Sequence, residues 1–204
     1  MEELIFDLAE ALRVPVLILV LAALAVVLVE AGAFAVELAR RRRRDTGRLE
    51  QAALAARAAL EGGDVPVAQR ALWQVAWSSS MASTLALMAA KAREERADDR
   101  LAKALADFDY ASLRRLERTR LLVRAGPALG LMGTLIPLSP ALAALAEGDV
   151  AELSSNLRLA FSITVLGLLI GVIAFGISLM RDRLYGHDLS DLEFVAASLR
   201  AGDE

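Results

Sequence analysis

Apolar residues along this chain gather into three long runs, Val14–Val36, Ala125–Ala146 and Leu159–Met180, and the stretches between them place apolar and charged positions at helical spacing. Each run reaches the roughly 20 residues that a helix needs to cross a hydrocarbon core about 30 Å thick. The pattern predicts transmembrane helices over 14–39, 125–146 and 159–180. It leaves 1–13 as an amphipathic N-terminus, 40–124 as a long intervening segment, 147–158 as a short loop and 181–204 as a polar tail. A cleaved signal peptide needs a basic start, whereas "MEELIFDLAE" is acidic, so the first run reads as a retained anchor.

The intervening segment reads as helix almost throughout, with one clear break at Gly62, Gly63, Asp64 and Pro66. Beyond the break, Trp73, Trp77, Met81, Thr84 and Met88 recur every three or four residues, as do Leu101, Leu105 and Phe108. Stripes of this kind serve helix-on-helix packing. The charged stretch "KAREERADDR" between them reads as a solvated helical face with paired charges. Nothing marks a separate soluble domain.

Composition and charge then narrow the picture. With 56% hydrophobic and 5% aromatic residues, the chain is an all-α membrane protein with long helical extensions outside the bilayer. It contains no cysteine, which excludes disulfides and thiolate chemistry. Five consecutive arginines, Arg40, Arg41, Arg42, Arg43 and Arg44, follow the first run and suit a topology anchor against anionic lipid headgroups better than a nucleic-acid patch. The basic intervening segment is expected on the cytoplasmic side, with the N-terminus out and the C-terminus in.

The second and third runs lack every charged residue type, yet they are rich in small ones. On a helical wheel Gly126, Gly130, Gly133, Pro137 and Pro140 share a sector of about 80°, with Thr134 at its margin. Ala160, Thr164, Gly167, Gly171, Ala174 and Ser178 form a second stripe. Small residues let helix backbones approach closely in a bilayer, and Pro137 deprives the carbonyl of Gly133 of its usual donor. Two uses of the stripes stand open: the two helices pack on each other, or a ring of such stripes surrounds a foreign helix or a polar path. Measured from the inner ends of their runs, Thr134 lies about 14 Å in and Thr164 about 24 Å in, which places them at two polar levels. Glu30 is the only acid well inside an apolar run, and a charge at a helix centre costs on the order of 3 kcal/mol. It is read as structural, near enough to the inner end to reach an arginine or water.

The texts "RAGPALGLMGTLIPL" and "AFSITVLGLLIGVIAF" resemble the signature segments of the MotA/TolQ/ExbB proton-channel family, and the three-helix layout is closest to its ExbB and TolQ branch. The resemblance implies an inner-membrane homopentamer whose second and third helices line a pore. Within that pore would sit the helices of a single-span partner like ExbD, TolR or MotB, which supplies the proton-accepting aspartate. Thr134 and Thr164 match the family's pore-lining threonines, and Ala160, Gly167, Gly171 and Ser178 would line the pore with them. Two positions depart from the pattern, Leu159 where relatives carry a glutamate and Pro137 where glycine is common.

The expected function is a proton-channel and stator subunit of an ion-driven motor, without cofactor or metal. A non-conducting membrane scaffold is the alternative. A small-molecule transporter would show inverted repeats, which are not found. An enzyme is disfavoured because the sole histidine, His187, has no companions for catalysis or metal binding.

Overall fold

The computed structural model describes residues 1, 4, 8, 10–41 and 46–200. Among the described residues six helices are delimited in turn: α1 (Arg13–Arg41), α2 (Thr46–Glu61), α3 (Val65–Trp73), α4 (Ser79–Lys91), α5 (Ala97–Glu147) and α6 (Val150–Arg200). Among the described residues there is no strand. Three helices, α1, α5 and α6, are long and apolar enough to cross a membrane. The chain divides into two compact units, one of Met1–Phe34 with Glu117–Leu179 and one of Ala35–Leu116 with Met180–Glu204.

The first unit is a three-helix assembly. Its core joins Val16, Val20 and Val27 of α1, Leu122 and Leu129 of α5, and Ile163, Ile170 and Ala174 of α6. Most of its other large apolar side chains point outward, among them Val29, Leu121, Phe161 and Val172, each about two thirds exposed or more. Such a surface suits lipid or partner helices rather than water. Helix α5 runs unbroken through Pro127, Pro137 and Pro140. The loop expected over 147–158 contracts to Gly148 and Asp149. Gly148 takes a left-handed φ of 80°, the Asp149 N–H donates to the Ala144 carbonyl at 2.8 Å, and the Asp149 carboxylate accepts from the Glu152 N–H at 2.9 Å to start α6.

The second unit has its own core of Ala53, Ala56 and Leu60 from α2, Leu72 from α3, Met81, Leu85 and Met88 from α4, Leu101 and Phe108 from α5, and Leu192, Val195 and Leu199 from α6. Two sequence expectations change here. The segment 181–200 is the continuation of α6 rather than a polar tail, because its Leu192, Val195, Ala196 and Leu199 face that core at helical spacing. Among its described residues the intervening segment also has three breaks rather than one. Gly63, at φ 77°, and the Asp64 cap mark the expected break. Ser78 caps α4 by accepting from the Met81 N–H. The third falls within "KAREERADDR", where Arg96 adopts φ 61° and the ion pairs Lys91–Glu94 and Arg96–Asp99 span three residues. Met81 and Met88 are buried as their stripe predicts, whereas Trp73 is 60% exposed.

Candidate functional site

The glycine stripes meet each other inside one protomer. A Cβ added to Gly126 would stand 2.7 Å from the Gly167 carbonyl oxygen and 2.9 Å from the Gly171 nitrogen. One on Gly130 would lie 3.3 Å from the Gly167 Cα and 3.4 Å from the Thr164 carbonyl oxygen, and one on Gly133 would overlap the Ile163 side chain. Gly171 in turn rests against the Pro127 ring, at 3.0 Å from where its Cβ would be. Backbone therefore meets backbone along α5 and α6, the geometry that small residues permit in a bilayer. Gly167 and Gly171, expected to face a lumen, occupy this seam instead, since a residue pressed against a neighbouring backbone presents no free face. Ala160 and Ser178 of the same stripe are buried, at 5% and 8% exposure. Pro137 is buried and Pro140 half-buried within α5.

Thr134 and Thr164 remain half-buried. The Thr134 hydroxyl donates to the Leu131 carbonyl at 2.7 Å and the Thr164 hydroxyl to the Ala160 carbonyl at 3.1 Å. Each hydroxyl has spent its one proton and keeps lone pairs with which to accept. The seam also sets their relative depth. Gly126 faces the Gly167–Gly171 step, Gly130 faces Thr164 and Gly167, and Gly133 faces Ile163, so Thr164 lies level with the turn between Gly130 and Gly133. At 1.5 Å per residue Thr134 is displaced from it by only about 4 Å along the axis. The two polar levels expected from the sequence collapse to one, because the two apolar runs are staggered and their inner ends lie at different depths.

Glu30 is half-buried on α1. Near the start of the same helix Arg13 donates to the buried Asn156 side-chain oxygen of α6 at 3.4 Å.

The arginine cluster behaves differently from the expectation of a uniform lipid anchor. Arg40 is exposed, and Arg42, Arg43 and Arg44 lie outside the described residues. Arg41 turns inward, within the second unit. Its two terminal nitrogens donate to the two carboxylate oxygens of Asp188 at 2.6 Å each, and one of them also reaches Glu37 at 3.0 Å. Arg41 Nη1 donates as well to the Leu184 carbonyl at 3.3 Å, and the guanidinium lies 5.8 Å from the Tyr185 ring centre. Arg181 stands 3.5 Å from the second oxygen of Glu37. The Arg41 and Asp188 side chains are 8% and 2% exposed. Burial pushes the Asp188 carboxyl above the usual carboxylate range, and the adjacent Arg41 opposes that shift. Burial likewise raises the Tyr185 phenol, with Glu37 adding to the effect.

This cluster was overlooked in the sequence. Its trace is the spacing of Arg181, Tyr185 and Asp188 on one face of α6, with Glu37 and Arg41 one turn apart on α1.

Among the curated proteins compared with the chain, none matches. The family model described as the MotA/TolQ/ExbB proton channel family matches residues 72–190, more than half of the chain.

Proposed function

Because the chain belongs to the MotA/TolQ/ExbB proton channel family, we propose that it is the channel-forming stator subunit of an inner-membrane motor driven by the proton motive force. The reading places it closest to the ExbB and TolQ branch, as a homopentameric ring around the helices of a single-span partner of the ExbD, TolR or MotB type. The N-terminus and the turn at Gly148 lie outside, and the second unit and the end of α6 lie in the cytoplasm. The role of facing the lumen is kept for Thr134 and Thr164, since Ala160, Gly167, Gly171 and Ser178 are buried in the protomer.

The observation that carries this reading is a pair of acceptor hydroxyls at one depth on helix segments without a single charged residue. Hydroxyls already donating to their own backbones can accept from water or from a protonated carboxylic acid, but they do not titrate near neutral pH. The proton-carrying group is therefore assigned to the partner's aspartate. One elementary charge crossing 100 mV releases about 2.3 kcal/mol, enough to bias a modest rearrangement and no more.

The test is reconstitution of the chain with a single-span partner in vesicles that hold a pH-sensitive dye. Proton flux is expected only with both proteins present and is lost when the partner's aspartate becomes asparagine. Absence of flux from the wild-type pair at an imposed potential overturns the reading. One observation favours a non-conducting scaffold of the same fold, namely that both threonine hydroxyls are satisfied within their own helices; such a scaffold would retain its biological activity without flux.

A further inference from the structure

Helices α1 and α6 meet within each unit, yet little on their apolar faces in the first tells them how far to slide. Val16, Val20 and Val27 share a core with Ile163, Ile170 and Ala174, which are aliphatic surfaces of similar shape at every turn. In a bilayer no hydrophobic gain selects one register over the next. Directional contacts must do so, and those between these helices include the Arg13–Asn156 hydrogen bond at 3.4 Å, the Arg41–Leu184 carbonyl bond at 3.3 Å, the Glu37–Arg181 ion pair at 3.5 Å and, most constrained, the buried Arg41–Asp188 fork at 2.6 Å on both arms.

The fork is poorly explained as a source of stability. Desolvating two charges costs several kcal/mol per ion, and buried pairs are commonly replaced by apolar side chains without loss. What an apolar pair cannot reproduce is the fixed plane and spacing of two parallel N–H···O bonds. A slip of one residue displaces α6 by about 1.5 Å and turns the contact face by about 100°, and the fork then cannot close. Glu37 holds Arg41 from one side and bridges to Arg181 of α6, so the guanidinium is itself oriented before it meets Asp188.

We propose that Arg41 and Asp188 form a register clasp within the second unit, positioning residues that set the rotation and depth of the α6 segment from Met180 onward against the end of α1.

The absence of native cysteine allows the clasp to be tested by pairs of nitroxide labels. Cysteines at Val36 of α1 and Ala197 of α6, both outward-facing and both within the second unit, are labelled in nanodiscs, with labelled chains diluted by unlabelled ones. The distance distribution and Tm are compared among the parent, Arg41→Lys, Asp188→Asn and the double variant Arg41→Met with Asp188→Leu. Asp188→Asn, which removes the charge of the forked partner and leaves the buried guanidinium only Glu37 as a counter-charge among its named contacts, is expected to lower Tm by about 10 °C. The double variant is expected to keep Tm within a few degrees of the parent while its distance distribution broadens at least about twofold, as a lost register and not a lost fold would. Arg41→Lys keeps the charge without the fork and is expected to broaden in the same way. A parent-like distribution in Arg41→Lys overturns the clasp even if the double variant fails to fold, and so does a double variant as unstable as Asp188→Asn. These distances are read without ion flux, so failure of the clasp and failure of the proposed channel function are separately visible.

Discussion

Gly126 and Gly167 exclude each other's side chains: a Cβ on the first would stand 2.7 Å from the carbonyl oxygen of the second, and a Cβ on the second 2.6 Å from the carbonyl oxygen of the first. Both obstacles are backbone, which cannot swing aside as the tip of a flexible side chain can. The seam between α5 and α6 is therefore as narrow as two helices allow, and it accounts for Gly126, Gly130, Gly133, Gly167 and Gly171 in these apolar segments.

Gly167→Ala is expected to destabilise the protein by about 1–3 kcal/mol through overpacking, read as a fall in Tm in detergent. Gly176→Ala is the control. No atom lies within 4 Å of a Cβ at Gly176, so alanine's better helix propensity should leave Tm equal or slightly higher. Equal responses at the two positions would contradict the seam.

Arg96→Gly is expected to stabilise. Arg96 holds φ 61°, a conformation that costs a residue with a Cβ roughly 1–2 kcal/mol. The ion pair it makes with Asp99 is mostly solvent-exposed, with side chains 81% and 64% accessible, and such pairs contribute little. A Tm increase of about 2–4 °C follows; a decrease would mean that the exposed pair outweighs the backbone strain.

Thr164→Val tests the lumen-facing role. Valine keeps the shape and removes the hydroxyl that donates to the Ala160 carbonyl. The expected outcome is partner-dependent proton flux reduced at least about tenfold with Tm changed little, since losing a neutral acceptor from a proton path costs on the order of 1.4 kcal/mol or more in the barrier. Unchanged flux would assign Thr164 to packing alone.

Glu30→Gln is expected to leave partner-dependent flux within about twofold of wild type, consistent with a structural acid on α1 rather than a member of the proton path. Loss of flux with normal assembly would move Glu30 into that path, as an acid within a membrane span ordinarily invites.

Much of this protein is written in local pattern. Run length decided that three helices are apolar enough to span a bilayer, and the wheel positions of Gly126, Gly130, Gly133, Gly167 and Gly171 marked which faces are thin. Those properties belong to single helices, and 3.6-residue periodicity reports them without reference to any neighbour. Only the tertiary structure decided what lies against each face. It turned the thin faces of Gly167 and Gly171 toward α5, brought Thr134 and Thr164 to one depth, drew Arg41 out of a row of arginines to meet Asp188, and took the last turns of α6 into the core of the second unit. A helix specifies the directions of its side chains around its own axis, but not how far it slides along another, and that offset is settled by contacts between residues distant in sequence.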